Sequence, residues 1–578
     1  MKIKSFKPKV LKNISLKNLN YTKSVDTGKL KLIPLGGMGE VTKNLYVYEY
    51  GDDIVIVDCG VGFPEEGMLG IDLVIPDITY LKDKRHKIKG FIISHAHDDH
   101  IGGLPYIWPE IDAPIYATKL TSGLIRAKFI EHNLPKERIK TINVEDSLTL
   151  GSFQVSFYAV THSVPDAVGI VLRTPVGTII HQADFKIDWT PVSGSPPDVA
   201  KIAQIGSQGV LFMTMDCLRV EKEGWTLSEQ TIEPTFADVE RETKGKLLIT
   251  MTSSNVTRMQ QAINVAFKAG RKVALSGRSM ESNFQVARDL GYLDVPPGMV
   301  IAQDEIKRFP DSQVMILIAG SQGQDGSALS RVANGDHKFV FIGKDDSIVF
   351  SADPIPSTET AQNALIDNLT RLGCNVYYSQ LTSDLHVSGH AAKEELKLMI
   401  NLAKPKYILP IGGTFRHMKA FSKLAQSLGY NQNQILLTEN GQVIEVGSGK
   451  AYVNGKVDVS NVYIDGLGVG DVGNIVLRDR QVMAEDGIVV VIVPVVKSTG
   501  EVGGEPDIIT RGFVYEKHAE DLIDAGKRLV RDSIRDHFRK HDKLDWRYLR
   551  SSIEESLERL FYKETNRRPM ILPVVVDL

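Results

Sequence analysis

Beyond residue 30 the chain opens with short apolar runs, LKLIPLGG, NLYVYEY and DIVIVDCG, separated by Gly and Asp turns. That alternation predicts a meandering, half-buried sheet. From about residue 114, strand-like PIYAT runs into helix-like LTSGLIRAKFIEHN, the start of α/β layering. Between about 228 and 375 helices alternate with the apolar runs KLLITMTSS, RKVALSG, VMILIAG, FVFIG and SIVFS, and a helix follows the first of them to about Lys268. Each run ends in small polar residues, which predicts a parallel sheet with functional loops at its strand ends. Apolar strands and helices resume to about 480. The last segment, 487–578, sets IVVVIVPVV and ILPVVVD around two charged amphipathic helices, the pattern of a small appended α+β domain.

At roughly 100–200 residues per domain, 578 residues that are 42% hydrophobic and 24% charged imply three or four cores and exclude a disordered or collagen-like chain. The longest strongly apolar stretch, Gly487 to Val496, is about half of what spans a bilayer and is interrupted by Pro494, so no membrane helix is expected. The N-terminal text has no continuous apolar core of the signal-peptide kind, which predicts a cytoplasmic protein. Cys59, Cys217 and Cys374 show no CxxC spacing and leave an odd thiol. A disulfide framework and a thiolate zinc site are both disfavoured, so any metal falls to His and carboxylate. The net charge of −3 marks no general polyanion binder, yet residues 1–29 carry eight lysines against Asp26 alone. Such a basic flexible arm reads either as a phosphate-contacting segment or as a solvated tail.

The chemistry concentrates in FIISHAHDDHIGGLP, where a buried strand runs into His95, His97, Asp99 and His100. Alternation along extended backbone sends His95 and His97 to one side, and the following turn brings Asp99 and His100 round to a second position. Three clustered imidazoles without a metal would repel one another on protonation, and the spacing can serve two metal ions rather than one. Gly102 and Gly103 allow tight backbone passage beneath. His162 in AVTHSVPDA and Asp184 in TIIHQADFK each follow a β-like run. Either alone reads as a turn residue, and their order after HxHxDH makes them candidate ligands. Asp58, ending IVIVDCG, suits the role of accepting the spare N–H of a ligating imidazole.

These residues, in the order Asp58, His95-x-His97-x-Asp99-His100, His162, Asp184, resemble the metallo-β-lactamase fold, and the surrounding text resembles the β-CASP nucleases, specifically bacterial ribonuclease J. The resemblance covers nearly the whole chain from about Leu30 and includes GMLGIDLVIPD, SSNVTRMQ, GRSMESN, IAGSQGQ, HVSGH, DGLGVGDVG, PDIITRGFVY and RRPMILP. It implies an α/β protein: a metallo-β-lactamase αββα sandwich split into 30–227 and 376–480, an inserted β-CASP α/β domain at 228–375, and a C-terminal α+β oligomerisation domain at 487–578. One ion would be held by His95, His97, His162 and Asp184, with Asp184 bridging to a second held by Asp99 and His100. Two such ions activate water and stabilise a phosphodiester under attack, and zinc and manganese both suit these ligands.

The resemblance extends to DLHVSGH, where His386, Val387, Ser388, Gly389 and His390 form the family's substrate loop, and His390 matches the histidine expected to protonate the leaving oxygen. Ser321 in AGSQG would complete a pocket for a terminal 5′ phosphate. Asp216 matches a supporting acid of the metal centre, and Asp465 a position that helps hold a structural calcium in some relatives. Arg258, Arg278 and Arg416 are candidates for tracking the phosphates of a single strand, with ordinary surface pairing as the plain alternative. The expected partners are single-stranded RNA and further subunits, as a homodimer, a homotetramer or a hetero-oligomer with a ribonuclease J paralogue, and no membrane.

Three departures cluster on the metal centre. After KYILP the family reads His-Gly-Glu, whereas this chain reads Ile411, Gly412, Gly413, Thr414, so a ligand histidine of the second ion is replaced by Gly412. The family's Asp-Ser-Thr-Asn becomes Asp216, Cys217, Leu218, Arg219, losing two hydroxyls. Asp184 follows HQA where Thr-Gly is usual. Two expectations of different class follow. One is a ribonuclease of reduced activity that degrades RNA from a 5′-monophosphate end, can also cut internally, and serves rRNA processing and mRNA decay. The other is an RNA-binding scaffold subunit that hydrolyses little. A small-thioester hydrolase is disfavoured because small-ligand members of the fold lack the inserted domain, and a DNA nuclease would differ in contacts to the 2′-OH that sequence does not reveal.

Overall fold

The computed structural model describes residues 28–65, 67–355, 358–496, 501–514, 520–540 and 545–577. Of the basic arm 1–29, all but Gly28 and Lys29 lies outside the described residues.

Tyrosines 46, 48 and 50 alternate with Leu45 and Val47 along one strand, and every side chain of Leu45–Tyr50 is buried, so apolar layers cover both faces of its sheet. That sheet has eight strands. Leu30–Gly36, Leu45–Tyr50 and Asp53–Val57 run antiparallel, and Ile88–Ile92, Ile115–Ala117 and Ile139–Thr141 add in parallel beyond them. Gln442–Gly447 and Lys450–Lys456 complete the other edge after a long stretch of intervening chain. A second sheet of six strands faces it, ordered Pro405–Ile411, Val210–Asp216, Gly177–Gln182, Val168–Thr174, Phe153–Ala159 and Ser147–Leu150. Tyr46, Tyr48, Val55 and Val57 from one sheet share a core with Phe157, Ile170, Ile180 and Phe212 from the other. Helices Leu104–Ile111 and Lys119–Glu131 cover the first sheet's outer face through Ile107, Trp108, Leu124 and Phe129, which gives the expected αββα sandwich.

The inserted segment forms a separate six-stranded sheet, parallel throughout, with Val314–Ile318 and Leu247–Thr250 at its centre. All five residues of Val314–Ile318 are buried, as a parallel strand sheathed on both faces requires. One sequence expectation fails here. FVFIG (339–343) is not a strand: His337 Nδ1 accepts the Phe339 and Val340 N–H groups at 3.3 and 3.0 Å, so a histidine-anchored turn engages donors that a sheet ladder would need.

In the C-terminal unit Ile488–Val496 pairs antiparallel with Asp507–Arg511 and parallel with Met570–Asp577. Val489, Val491 and Val493 pack against Ile553, Leu557 and Phe561 of helix Trp546–Thr565. No helix among the described residues is long and apolar enough to cross a membrane.

Candidate functional site

Five loops at strand ends of the sandwich converge. They follow Asp53–Val57, Ile88–Ile92, Phe153–Ala159, Gly177–Gln182 and Pro405–Ile411. The backbone passes tightly there: a Cβ on Gly60 would lie 1.6 Å from Asp99 O, and one on Gly103 would lie 2.6 Å from Gly60 O. Only glycine permits that approach, and it fixes the HDDH turn over the Asp58 loop.

Asp58 stands fully buried in the left-handed region at φ 60°. Its Oδ1 accepts Ser94 N–H at 2.8 Å, while Oδ2 accepts Ser94 Oγ at 2.8 Å and lies 2.7 Å from His100 Nδ1. Asp58 thus ties the start of the HDDH loop to the His100 ring. His95, His97 and His162 bring ring nitrogens within 4.8 Å of one another, and ring nitrogens of His95 and His100 lie within the same distance of each other and of a carboxylate oxygen of Asp184. Asp184 Oδ2 lies 3.6 Å from His95 Nε2, 3.4 Å from His100 Nε2 and 3.8 Å from His162 Nε2. Asp99 Oδ2 lies 3.6 Å from His100 Nε2 on the more open side.

At His95, His97, His162 and Asp184 the electrostatics fit a divalent cation. Burial and the neighbouring imidazoles hold His95 and His162 well below the ordinary histidine value, and burial takes His97 down to about 4, so all three are neutral donors. Burial opposes ionisation of Asp184, but the surrounding histidines, His100 and His390 foremost, hold it well below the carboxylate range. Burial likewise opposes charge on His100, but Asp184, Asp99 and Asp58 surround it and raise it well above the imidazole range. His95 Nε2 is buried with no hydrogen-bond partner among the described residues, an orphan facing Asp184. Neutral imidazoles with an ionised carboxylate and no thiolate are the donor set of zinc or manganese.

The residues of DLHVSGH lie against this cluster. Gly389 O is 2.7 Å from His162 Nδ1, and a Cβ at Gly389 would come within 2.5 Å of the His162 ring. His390 Nδ1 lies 2.8 Å from Asp216 Oδ2, and its Nε2 lies 3.9 Å from Asp184. Burial opposes its charge, yet Asp216 and Asp184 hold its pKa up at about 9, so it is a protonated imidazole at neutral pH. Ser388 Oγ accepts His390 N–H at 3.2 Å, and Val387 is buried. His386 Nδ1 stands 2.9 Å from Asp353 Oδ2. Asp353 was not singled out in the sequence, and its only signal was a position just past the strand Ser347–Phe350. It links two predicted pieces: Gln322, beside the buried Ser321, donates from Nε2 to Asp353 O at 3.1 Å.

Other sequence candidates fall elsewhere. Arg258 does not face a channel. It is 1% exposed and donates to Glu229, Ser351 O and Val387 O, because its helix turns that side toward the segment joining the two sheets. Arg416 is exposed and pairs with Glu221 at 3.3 Å, and Arg278 is exposed at a helix start. Asp465 receives a hydrogen bond from Arg480. Gly412 has φ 64°, and a Cβ there would meet only Asp184 Oδ1 and Asp216 Oδ1, each at 3.8 Å, so the space for a ligand side chain is kept while the ligand is absent. Asn44, also unpredicted, places Nδ2 3.2 Å from His100 Nε2.

Family comparisons cover most of the chain. Residues 38–207 match the metallo-beta-lactamase superfamily, 244–369 the ribonuclease J beta-CASP domain, 380–435 the Zn-dependent metallo-hydrolase RNA specificity domain, and 475–578 the ribonuclease J C-terminal domain. Ribonuclease J2 of Bacillus subtilis (strain 168) is 40% identical over 558 residues, 96% of this chain and 100% of that one. Ribonuclease J 1 of Streptococcus pyogenes serotype M3 is 39% identical over 96% of this chain and 98% of its own, and ribonuclease J 2 of Staphylococcus aureus (strain MRSA252) is 36% identical over 95% and 98%. Among solved structures, a protein of unknown function from Enterococcus faecalis V583 superposes with a TM-score of 0.52 at 16% identity, covering 72% of this chain and all of that one, a likeness of fold alone. With the histidine cluster, the inserted parallel sheet and the full-length identity in agreement, the chain belongs to the ribonuclease J family of metal-dependent ribonucleases.

Proposed function

We propose that this protein is a metal-dependent exonuclease that shortens single-stranded RNA from a 5′-monophosphorylated end in the 5′-to-3′ direction, with internal cleavage as a second mode. The reading is carried by one observation: His95, His97, His162 and Asp184 gather their ligand atoms beside His390, whose loop is wired to His162. His95, His97, His162 and Asp184 would hold one zinc or manganese ion, and Asp99, His100 and Asp184 a second. Bound there, such ions supply Lewis-acid stabilisation of the phosphodiester and activation of water.

The protein's own groups do the rest. His390, held by Asp216, donates a proton from Nε2 to the departing oxygen. His386, Ser388 and Ser321 receive the terminal phosphate, and Asp353 keeps His386 in place. Asp58 holds the ring of His100.

A second reading, an RNA-binding subunit with weak hydrolysis, is favoured by a specific pair of features. Gly412 contributes no ligand, and Asn44 Nδ2 already lies 3.2 Å from the His100 nitrogen that a second ion would need. We therefore propose that the second ion is held at least 10- to 100-fold more weakly than the first. For Asp465 we propose the ion pair with Arg480 as its role in place of calcium. Assembly into a homodimer, homotetramer or hetero-oligomer with a paralogue through 487–578, and a place in the cytoplasm, belong to the same proposal.

The test is incubation with manganese and 5′-monophosphorylated RNA beside a His97→Ala control. Mononucleotide release abolished by the substitution supports the enzyme, and equal background from both proteins supports the scaffold.

A further inference from the structure

The unused cation of the site is Arg219. It lies three residues beyond Asp216, on a turn where Leu218 N–H donates to Asp216 Oδ1 at 2.9 Å and Lys222 N–H donates to Arg219 O at 2.9 Å. The side chain is half-buried, and its Nε is out of reach of solvent with no hydrogen-bond partner. Among the described residues its guanidinium makes no hydrogen bond or ion pair at all. A buried donor left without a partner is costly, and here it is Nε alone that is shut off from water, the outer nitrogens of the fork being outside the buried set.

Among the described residues no carboxylate pairs with it directly. Besides burial, the charges that act most on Arg219 are Asp353, Glu395 and Asp216, and each is already committed elsewhere. Asp216 holds His390, and Asp353 stands against His386. Glu395 accepts three backbone N–H groups, from Ile187, Thr226 and Ala392, each at 2.7 Å. Arg219 thus follows the partner of His390 by three residues and lies within electrostatic reach of Asp353, the partner of His386, with its fork of donors uncommitted. A planar fork of this kind matches a phosphate group.

We propose that Arg219 is a phosphate-binding residue of the polynucleotide path, gripping a substrate phosphate between His390 and His386. This rests on the ribonuclease reading above. It adds a fixed positive charge beside a centre in which Gly412 has removed a ligand for the second ion. The phosphate is either the terminal 5′ monophosphate or an internal phosphodiester, which share the same recognition chemistry.

The test is binding of hydrolysis-resistant 2′-O-methyl oligonucleotides, 5′-phosphorylated or 5′-hydroxyl, to the unsubstituted protein, Arg219→Gln and Arg219→Lys across a salt series. Arg219→Gln is expected to bind about 10- to 100-fold more weakly, the loss of one charged hydrogen-bonding group. Its salt dependence should be shallower by about 0.7 in log–log slope, the value of one single-strand phosphate contact. Arg219→Lys keeps the slope and loses roughly 3- to 10-fold, since it keeps the charge and not the fork. A deficit confined to the 5′-phosphorylated strand assigns the terminal phosphate, and an equal deficit on both strands assigns an internal one. Wild-type affinity and slope in Arg219→Gln overturn the inference. Should that variant not fold, unchanged affinity in Arg219→Lys does so instead. Absence of binding by the unsubstituted protein overturns the ribonuclease reading itself, whereas binding that ignores position 219 overturns this inference alone.

Discussion

Arg258 Nη2 lies 3.0 and 2.9 Å from the two carboxylate oxygens of Glu229, and both side chains are buried. The same guanidinium donates to Ser351 O at 2.7 Å and Val387 O at 3.1 Å. One side chain therefore joins the connecting segment, the inserted sheet and the DLHVSGH loop. Replacing it with methionine strands the Glu229 carboxylate, so Arg258→Met should destabilise the protein by about 3–5 kcal/mol in urea denaturation, the cost of breaking a buried pair from one side. Lys186 Nζ, 3.6 Å from Glu229, keeps the loss from being larger.

Gly412→His should restore a donor. The new Cβ has ordinary contact distances to Asp184 and Asp216, and histidine tolerates φ 64° better than most residues. The metal-free variant should lose about 1–2 kcal/mol to backbone strain, while its affinity for a second ion rises at least about 10-fold. Metal content per chain and thermal melting with and without manganese check both signs.

The pH profile follows from His390. Its pKa stands raised from 6.5 to about 9, so the proton-donating form is present at neutral pH and is lost as pH rises through about 9. The charged pair with Asp216 likewise loses its stabilisation as pH rises from 6.5 to about 9, and on the acid side it ends where Asp216, raised by burial, takes up a proton. Asp216→Asn removes the carboxylate that does most to hold this proton, so the alkaline limb of the rate profile should move down by roughly 1–3 pH units. A pH–rate series on the two proteins reads this directly.

Gly389→Ala sets a methyl 2.5 Å from His162 Cε1 and 2.6 Å from Nδ1. Either the loop or the ring must move, so stability should fall by about 1–3 kcal/mol. Metal affinity should fall with it, because Gly389 O no longer orients the ring. Zinc titration followed by calorimetry measures the second effect independently of activity.

What was legible in the sequence was local. His95, His97, Asp99 and His100 sit within six residues, so strand alternation and one turn suffice to converge them, and Val314–Ile318 announces a doubly covered strand by being wholly apolar. Pairings across long separations were not legible. Glu229 and Arg258 meet from different elements, and nothing in SSNVTRMQ tells a buried arginine from an exposed one until the helix is docked. Asp353 acquires meaning only opposite His386. FVFIG misled because its apolar residues do reach a core, Val340 being buried, while His337 takes the backbone donors that a strand would have paired.

His97 illustrates a wider consequence of the insertion. Ser163 Oγ, from the sandwich, lies 2.7 Å from its Nε2, and Ser254 Oγ, from the inserted sheet's first loop, lies 3.1 Å from its Nδ1. Both halves of the molecule thus keep a hand on one imidazole. Grafting the insert of a relative into this chain, or excising it, would change how that ring is held even with every histidine untouched, so the two units are bound to vary in concert rather than as interchangeable parts.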